Sequence, residues 1–163
     1  MTKRIAILAS IIILGGLQVS ANKVTEKITT DPYAMLPQLW KHVYHPQRLK
    51  VNKMKAMVSG TVMGLRKEPD GDYHIQVKLD PTYSHYLNSF NKAKQDNCFV
   101  IEIICINKVT QEDAITPCEH CNTGVTVPKK GDHIKVYGSY ITDTEANHGW
   151  NEIHPVSHEV LDL

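Results

Sequence analysis

The sequence predicts a mainly β fold: a small five-stranded barrel with one or two short helices, preceded by a signal peptide and an N-terminal arm. Three observations carry this expectation. The chain has 163 residues, room for one domain and a short extension. From Leu49 onward, β-rich and partly alternating segments recur between turn-forming clusters. Only short stretches carry helix-start chemistry.

Lys3 and Arg4 precede an apolar run from Ile5 to Leu17, followed by Gln18 and the small-residue ending Val19-Ser20-Ala21. A basic start, a core of about 7–15 apolar residues and small residues at the cut describe a secretory signal peptide. Cleavage is expected after Ala21. A retained anchor would need roughly 20 apolar residues, and Gly15-Gly16 weakens that reading. Residues 22–48 form the arm, with a short helix between Ala34 and Val43 interrupted at Pro37. The domain proper is residues 49–163, with no later stretch of membrane-spanning length. The product is expected to be exported, periplasmic or extracellular.

The first strand runs through Val51, Met54, Ala56, Val58 and Thr61 to Leu65, and Gly60 marks a bulge or bend. Pro69-Asp70-Gly71-Asp72 is a turn: proline fixes φ, aspartate bonds locally and glycine accepts positive φ. Tyr73, Ile75, Val77 and Leu79 alternate with His74, Gln76 and Lys78, so residues 54–66 and 73–79 make a hairpin. Asp80-Pro81 reads as the cap and first turn of a helical stretch reaching Ala93. Phe99 to Cys105 is a near-continuous apolar strand, and Thr110-Gln111-Glu112-Asp113 has the chemistry of a capping box. Gly131-Asp132 turns into a strand through Ile134, Val136, Gly138, Tyr140 and Ile141, and Gly149 to Val156 is the last. Five strands, a bent glycine-bearing first strand and a helical insertion between the third and fourth match the order of an OB-fold.

Several pieces resemble a group of secreted bacterial OB-like domains of unassigned activity. They are Thr61-Val62, Pro69 to His74, Lys78-Leu79-Asp80, Gly131 to Val136 and His148 to Val156. The likeness spans about residues 45–160, and Gly-Trp-x-Glu-Ile-His-Pro is its most specific element. The resemblance implies a fold and an export route.

All four cysteines, Cys98, Cys105, Cys118 and Cys121, fall in one short segment. An even count in an exported protein reads as two disulfides with three connectivities. Cys98 and Cys105 are an odd number apart, facing opposite sides of one strand, so each would pair with a member of Cys118-Glu119-His120-Cys121. The preferred arrangement is Cys105–Cys118 with Cys98–Cys121. The Cys118-x-x-Cys121 spacing also suits half a zinc knuckle or a redox dithiol.

The densest polar segment is Asp143, His148, Trp150, Glu152 and His154. Along a strand, Trp150, Glu152 and His154 share a face. With His148 close by, His148, Glu152 and His154 would suit a divalent metal with a position open for water, and Asp72 or His74 can join across the sheet. The same residues also suit a plain hydrogen-bonded network. Asp70-Gly71-Asp72 lacks the further ligands of a calcium loop. No nucleophile elbow or phosphate-cradling glycine loop occurs.

OB-folds bind oligonucleotides or oligosaccharides across the sheet. Tyr73, Lys78, Tyr140 and Trp150 are the candidate ligand contacts, with Tyr137 beside them and Lys53, Lys55, Arg66 and Lys67 supplying charge. The chain carries 18 Lys and Arg against 17 Asp and Glu, and removal of residues 1–21 takes Lys3 and Arg4 away, leaving an acidic excess of one. That balance speaks against tight nonspecific nucleic-acid binding. The expectation is therefore an exported binding or interaction module for an unidentified ligand or protein, with no catalytic motif and no required cofactor. The alternatives are a metal-dependent hydrolase or nuclease built on His148, Glu152 and His154, and an extracellular oligonucleotide binder.

Overall fold

A computed structural model describes residues 31–161. The signal-peptide expectation and the start of the arm lie outside them. The fold is mainly β, one five-stranded sheet with a few short helices. The strands are β1 (Leu49–Lys67), β2 (Tyr73–Leu79), β3 (Phe99–Ile103), β4 (His133–Asp143) and β5 (Asn151–Leu161). Their order is β1-β2-β3-β5-β4, and β4 returns to β1, closing the sheet on itself.

β1 makes the closure. At 19 residues it exceeds the usual strand length, pairing β4 along its first part and β2 along its second. Gly60 stands opposite both Leu79 and Ile134, at the point where the strand changes partners. A Cβ there would overlap the Lys78 carbonyl, so only glycine allows this approach. All pairings are antiparallel except β3 with β5. The inward positions of each strand fill the interior: Val58, Val62, Ile75, Val77, Phe99, Ile101, Ile103, Ile134, Val136 and Ile153.

The arm covers one end of the sheet. Helix α1 (Leu36–Leu39) begins with Pro37 in its first turn, where a missing N–H costs nothing, so proline starts this helix instead of interrupting it. Leu39 and Val43 bury against Leu49, Ile104 and Ile141. The indole of Trp40 donates to Ser139 Oγ at 2.9 Å.

Both capping expectations need correction. Asp80 precedes a 3₁₀ turn (Pro81–Tyr86) without capping it. Its carboxylate accepts instead from Ser59 and His133. Helix α2 (Ser89–Lys94) is capped by Asn88. Thr110 gives its hydroxyl proton to the Pro69 carbonyl, and the 3₁₀ turn Glu112–Ala114 has no side-chain cap. After it comes helix α3 (Ile115–Cys118), and the longest helical segment lies between β2 and β3, not between β3 and β4.

Cys105 and Cys118 form a disulfide. Cys98 and Cys121 are free thiols, so the second expected bridge is absent among the described residues. Geometry explains it. Cys98 precedes β3, whereas Cys121 packs beside Cys105 at the strand's other end, roughly 17 Å away at 3.3 Å per residue.

Candidate functional site

Alternation sends Ile75, Ile101 and Ile153 inward and turns His74, Glu102, Glu152 and His154 to the outer face. Strand register lines them up. Arg66 of β1 stands opposite His74 of β2, His74 opposite Glu102 of β3, and the parallel register with β5 sets His154 beside Glu102. This outer face is buried all the same. The end of α2, the β1–β2 turn and the β4–β5 loop lie over it, and His74, Glu152 and His154 are all buried.

Burying these groups requires that each be paired. His74 Nδ1 donates to Glu102 Oε1 at 2.9 Å, and Gln95 Oε1 lies 3.1 Å from its Nε2. His154 Nδ1 lies 2.9 Å from Glu102 Oε2 and 3.2 Å from Glu152 Oε1. The Trp150 indole donates to Glu152 Oε2 at 2.8 Å. A continuous chain, Trp150–Glu152–His154–Glu102–His74–Gln95, thus crosses three strands.

Burial works on both signs, and the partners decide the outcome. Burial would raise the Glu102 carboxyl, but hydrogen bonds from His154 and His74 outweigh it and hold the group well below the usual range. Burial would lower His154, yet the bonds to Glu102 and Glu152 push it well above an ordinary histidine. His74 is raised in the same way by Glu102. Glu152 goes up through burial and the nearby Glu102 charge. Asp72 goes well up, chiefly through burial, against the pull of His154. The network therefore favours charged Glu102 between two protonated imidazoles.

Asp72 links this network to the disulfide. Its Oδ1 accepts the Cys105 N–H at 2.8 Å. One oxygen each from Asp72 and Glu102 and one ring nitrogen of His154 lie within 4.8 Å of one another. A second such group joins Asp72 to Cys105 and Cys118, but those sulfurs are consumed in the disulfide.

A cavity of about 390 Å³ opens beside the network. Arg48, Arg66, His74, Glu102, His148 and Trp150 line it, together with the acids Glu68, Asp70, Asp143 and Glu145. Asp143 accepts from His148 Nδ1 at 2.6 Å and sits 3.9 Å from Arg48, whose other end reaches Glu145. The His148 ring stacks on Trp150 with centroids 4.1 Å apart.

The sequence-derived candidates divide accordingly. Glu152 and His154 meet, but His148 turns to Asp143 with the Trp150 ring interposed, so His148, Glu152 and His154 do not form one ligand set. Trp150 lines the cavity. Tyr73 and Tyr140 do not, because their positions face inward: both pack against the core. Tyr140 also accepts from Asn151. Lys78 is exposed on the outer face of β2, roughly 13 Å along the strand from His74. The residue missed was Glu102. Its signal was a lone acid inside an apolar strand, a charge that must find a buried partner.

Compared with models of known protein families and with curated proteins, the chain matches none.

Proposed function

We propose that this chain is an exported binding module of the OB type, with its ligand seated in the cavity over β2 and β3. One observation carries the reading. The cavity lies on the face of the second and third strands, between the β1–β2 turn and the β4–β5 loop, the position where OB barrels take oligonucleotides and oligosaccharides. The disulfide, and the lack of any helix long and apolar enough to cross a membrane among the described residues, are compatible with export.

The lining favours a short hydroxyl-rich ligand, an oligosaccharide, over a polyanion. Arg48, Arg66 and the histidines His45, His74 and His148 face the acids Glu68, Asp70, Glu102, Asp143 and Glu145, so the wall offers both donors and acceptors. His148 on Trp150 supplies a flat ring for a sugar face. The volume falls within the range of small-ligand pockets.

Calorimetric titration of the full chain with neutral and acidic di- to tetrasaccharides, and with a short thymidine oligomer, tests this. The expected result is saccharide binding that His148→Ala or Arg66→Ala weakens tenfold or more. Absence of saccharide binding would overturn it, and oligonucleotide affinity falling with salt would put the nucleic-acid alternative in its place.

A further inference from the structure

We infer that Asp72, Glu102 and His154 form a binding site for one divalent transition ion of the zinc class. This goes beyond the ligand-binding reading and does not depend on it. The three side chains come from the β1–β2 turn, β3 and β5, and their ligand atoms already converge within 4.8 Å. In tetrahedral geometry, metal–ligand bonds of about 2.0–2.2 Å hold ligand atoms roughly 3.3–3.6 Å apart, so the three atoms need to draw together by at most about 1.5 Å.

A second, independent observation concerns His154. Its side chain is 3% exposed, yet Nε2 has no hydrogen-bond partner among the described residues. Its Nδ1 lies 2.9 Å from Glu102 Oε2 and 3.2 Å from Glu152 Oε1, and Trp150 holds Glu152 in place from behind. A histidine that ligates a metal gives its other ring N–H to a carboxylate in this manner, which fixes the ring and strengthens the ligand. That leaves Nε2 as the ring nitrogen without a partner among the described residues.

Charge supplies the third argument. Four carboxyl groups, those of Asp70, Asp72, Glu102 and Glu152, surround the two imidazoles of His74 and His154. Two carboxylates with one imidazole form a mixed donor set suited to zinc or manganese and poor for copper(I), which prefers thiolates. Glu102 also lines the cavity, which gives the ion a way in. Glu152 is then a positioning residue and His148 lies outside the site.

The test uses the full chain carrying Cys98→Ser and Cys121→Ser, which removes the free thiols as competing ligands. After chelator treatment and desalting, Zn²⁺ is titrated calorimetrically and Co²⁺ by its visible absorption. The expected result is one equivalent bound, weakened at least a hundredfold by Asp72→Asn or His154→Gln and unchanged by His148→Ala. Glu152→Gln should weaken it about 10–100-fold through loss of ring orientation. Asp72→Asn keeps the side chain's shape, so circular dichroism separates lost binding from lost fold, and the Co²⁺ spectrum of the unaltered site needs no variant at all. No uptake at millimolar Zn²⁺, or binding that survives both Asp72→Asn and His154→Gln, would overturn the inference.

Discussion

Replacing Glu102 with glutamine isolates the charge at the centre of the buried chain. The side-chain volume is kept, so no cavity arises. Glu102 accepts bonds of 2.9 Å from two nearly inaccessible imidazoles, His74 and His154. Glutamine can accept from one of them but must turn an NH₂ toward the other. The stranded donor alone costs about 1–3 kcal/mol. Removing one partner of a buried ion pair costs about 3–5 kcal/mol in total. With a urea slope near 1.5 kcal/mol per molar, the midpoint should fall by about 2–3 M.

The pH dependence gives a sharper test, made in chelator so that only protons compete. Glu102 is held below its unfolded value, so its contribution is present above about pH 4.3 and is lost as pH falls through the lower folded value. His74 and His154 are raised, so theirs is complete below about pH 6.5 and is lost as pH rises through the folded values. The gap between the native protein and Glu102→Gln should therefore be widest between about pH 4.5 and 6.5 and narrower on either side. A loss below about 1 kcal/mol at pH 5.5, or a gap unchanged at alkaline pH, would refute the charged-network account.

Three further outcomes are expected. Closing a loop of 13 residues, the Cys105–Cys118 bridge should contribute about 3 kcal/mol, measured by denaturation of the Cys105→Ala/Cys118→Ala protein; peptide mapping should find that bridge and two unpaired thiols. Gly138→Ala should lower stability by at least about 1–3 kcal/mol, seen as a drop in Tm, because the added methyl overlaps Ile153 and the Pro155 carbonyl. Leu39→Ala should cost about 2–5 kcal/mol in the same assay, because Leu39 of the arm is buried against Ile104 and Ile141.

Period-two alternation made the strands legible. It located the hairpin of β1 and β2 and the shared face of Glu152 and His154, whereas the register irregularities of β1 fall at Val51–Ala56 and Val62–Gly64, not at Gly60. It could not say which faces are covered. An antiparallel strand with one wet face reads as alternating, yet Asn151 to Ser157 is buried throughout because loops and α2 roof the outer side. That roof makes Glu102 a structural centre, and no local pattern announces it. Its partners lie on β2 and β5, joined by the antiparallel β2–β3 and the parallel β3–β5 registers. Tyr73 and Tyr140 were misplaced for the related reason that an aromatic on an alternating strand serves either side. His148 belongs to a loop, where spacing carries no directional information.

The double partnership of β1 has a consequence for how the chain acquires its structure. Leu49 pairs with Asp143, and Gly60 with Ile134, so the first strand stays half unpaired until nearly the whole domain has emerged. Contacts so distant in sequence slow folding. Until they form, β1 presents an open edge able to recruit other chains. Fragments ending before β4 should therefore aggregate, and the domain should fold as a single cooperative unit only after its last strand is made.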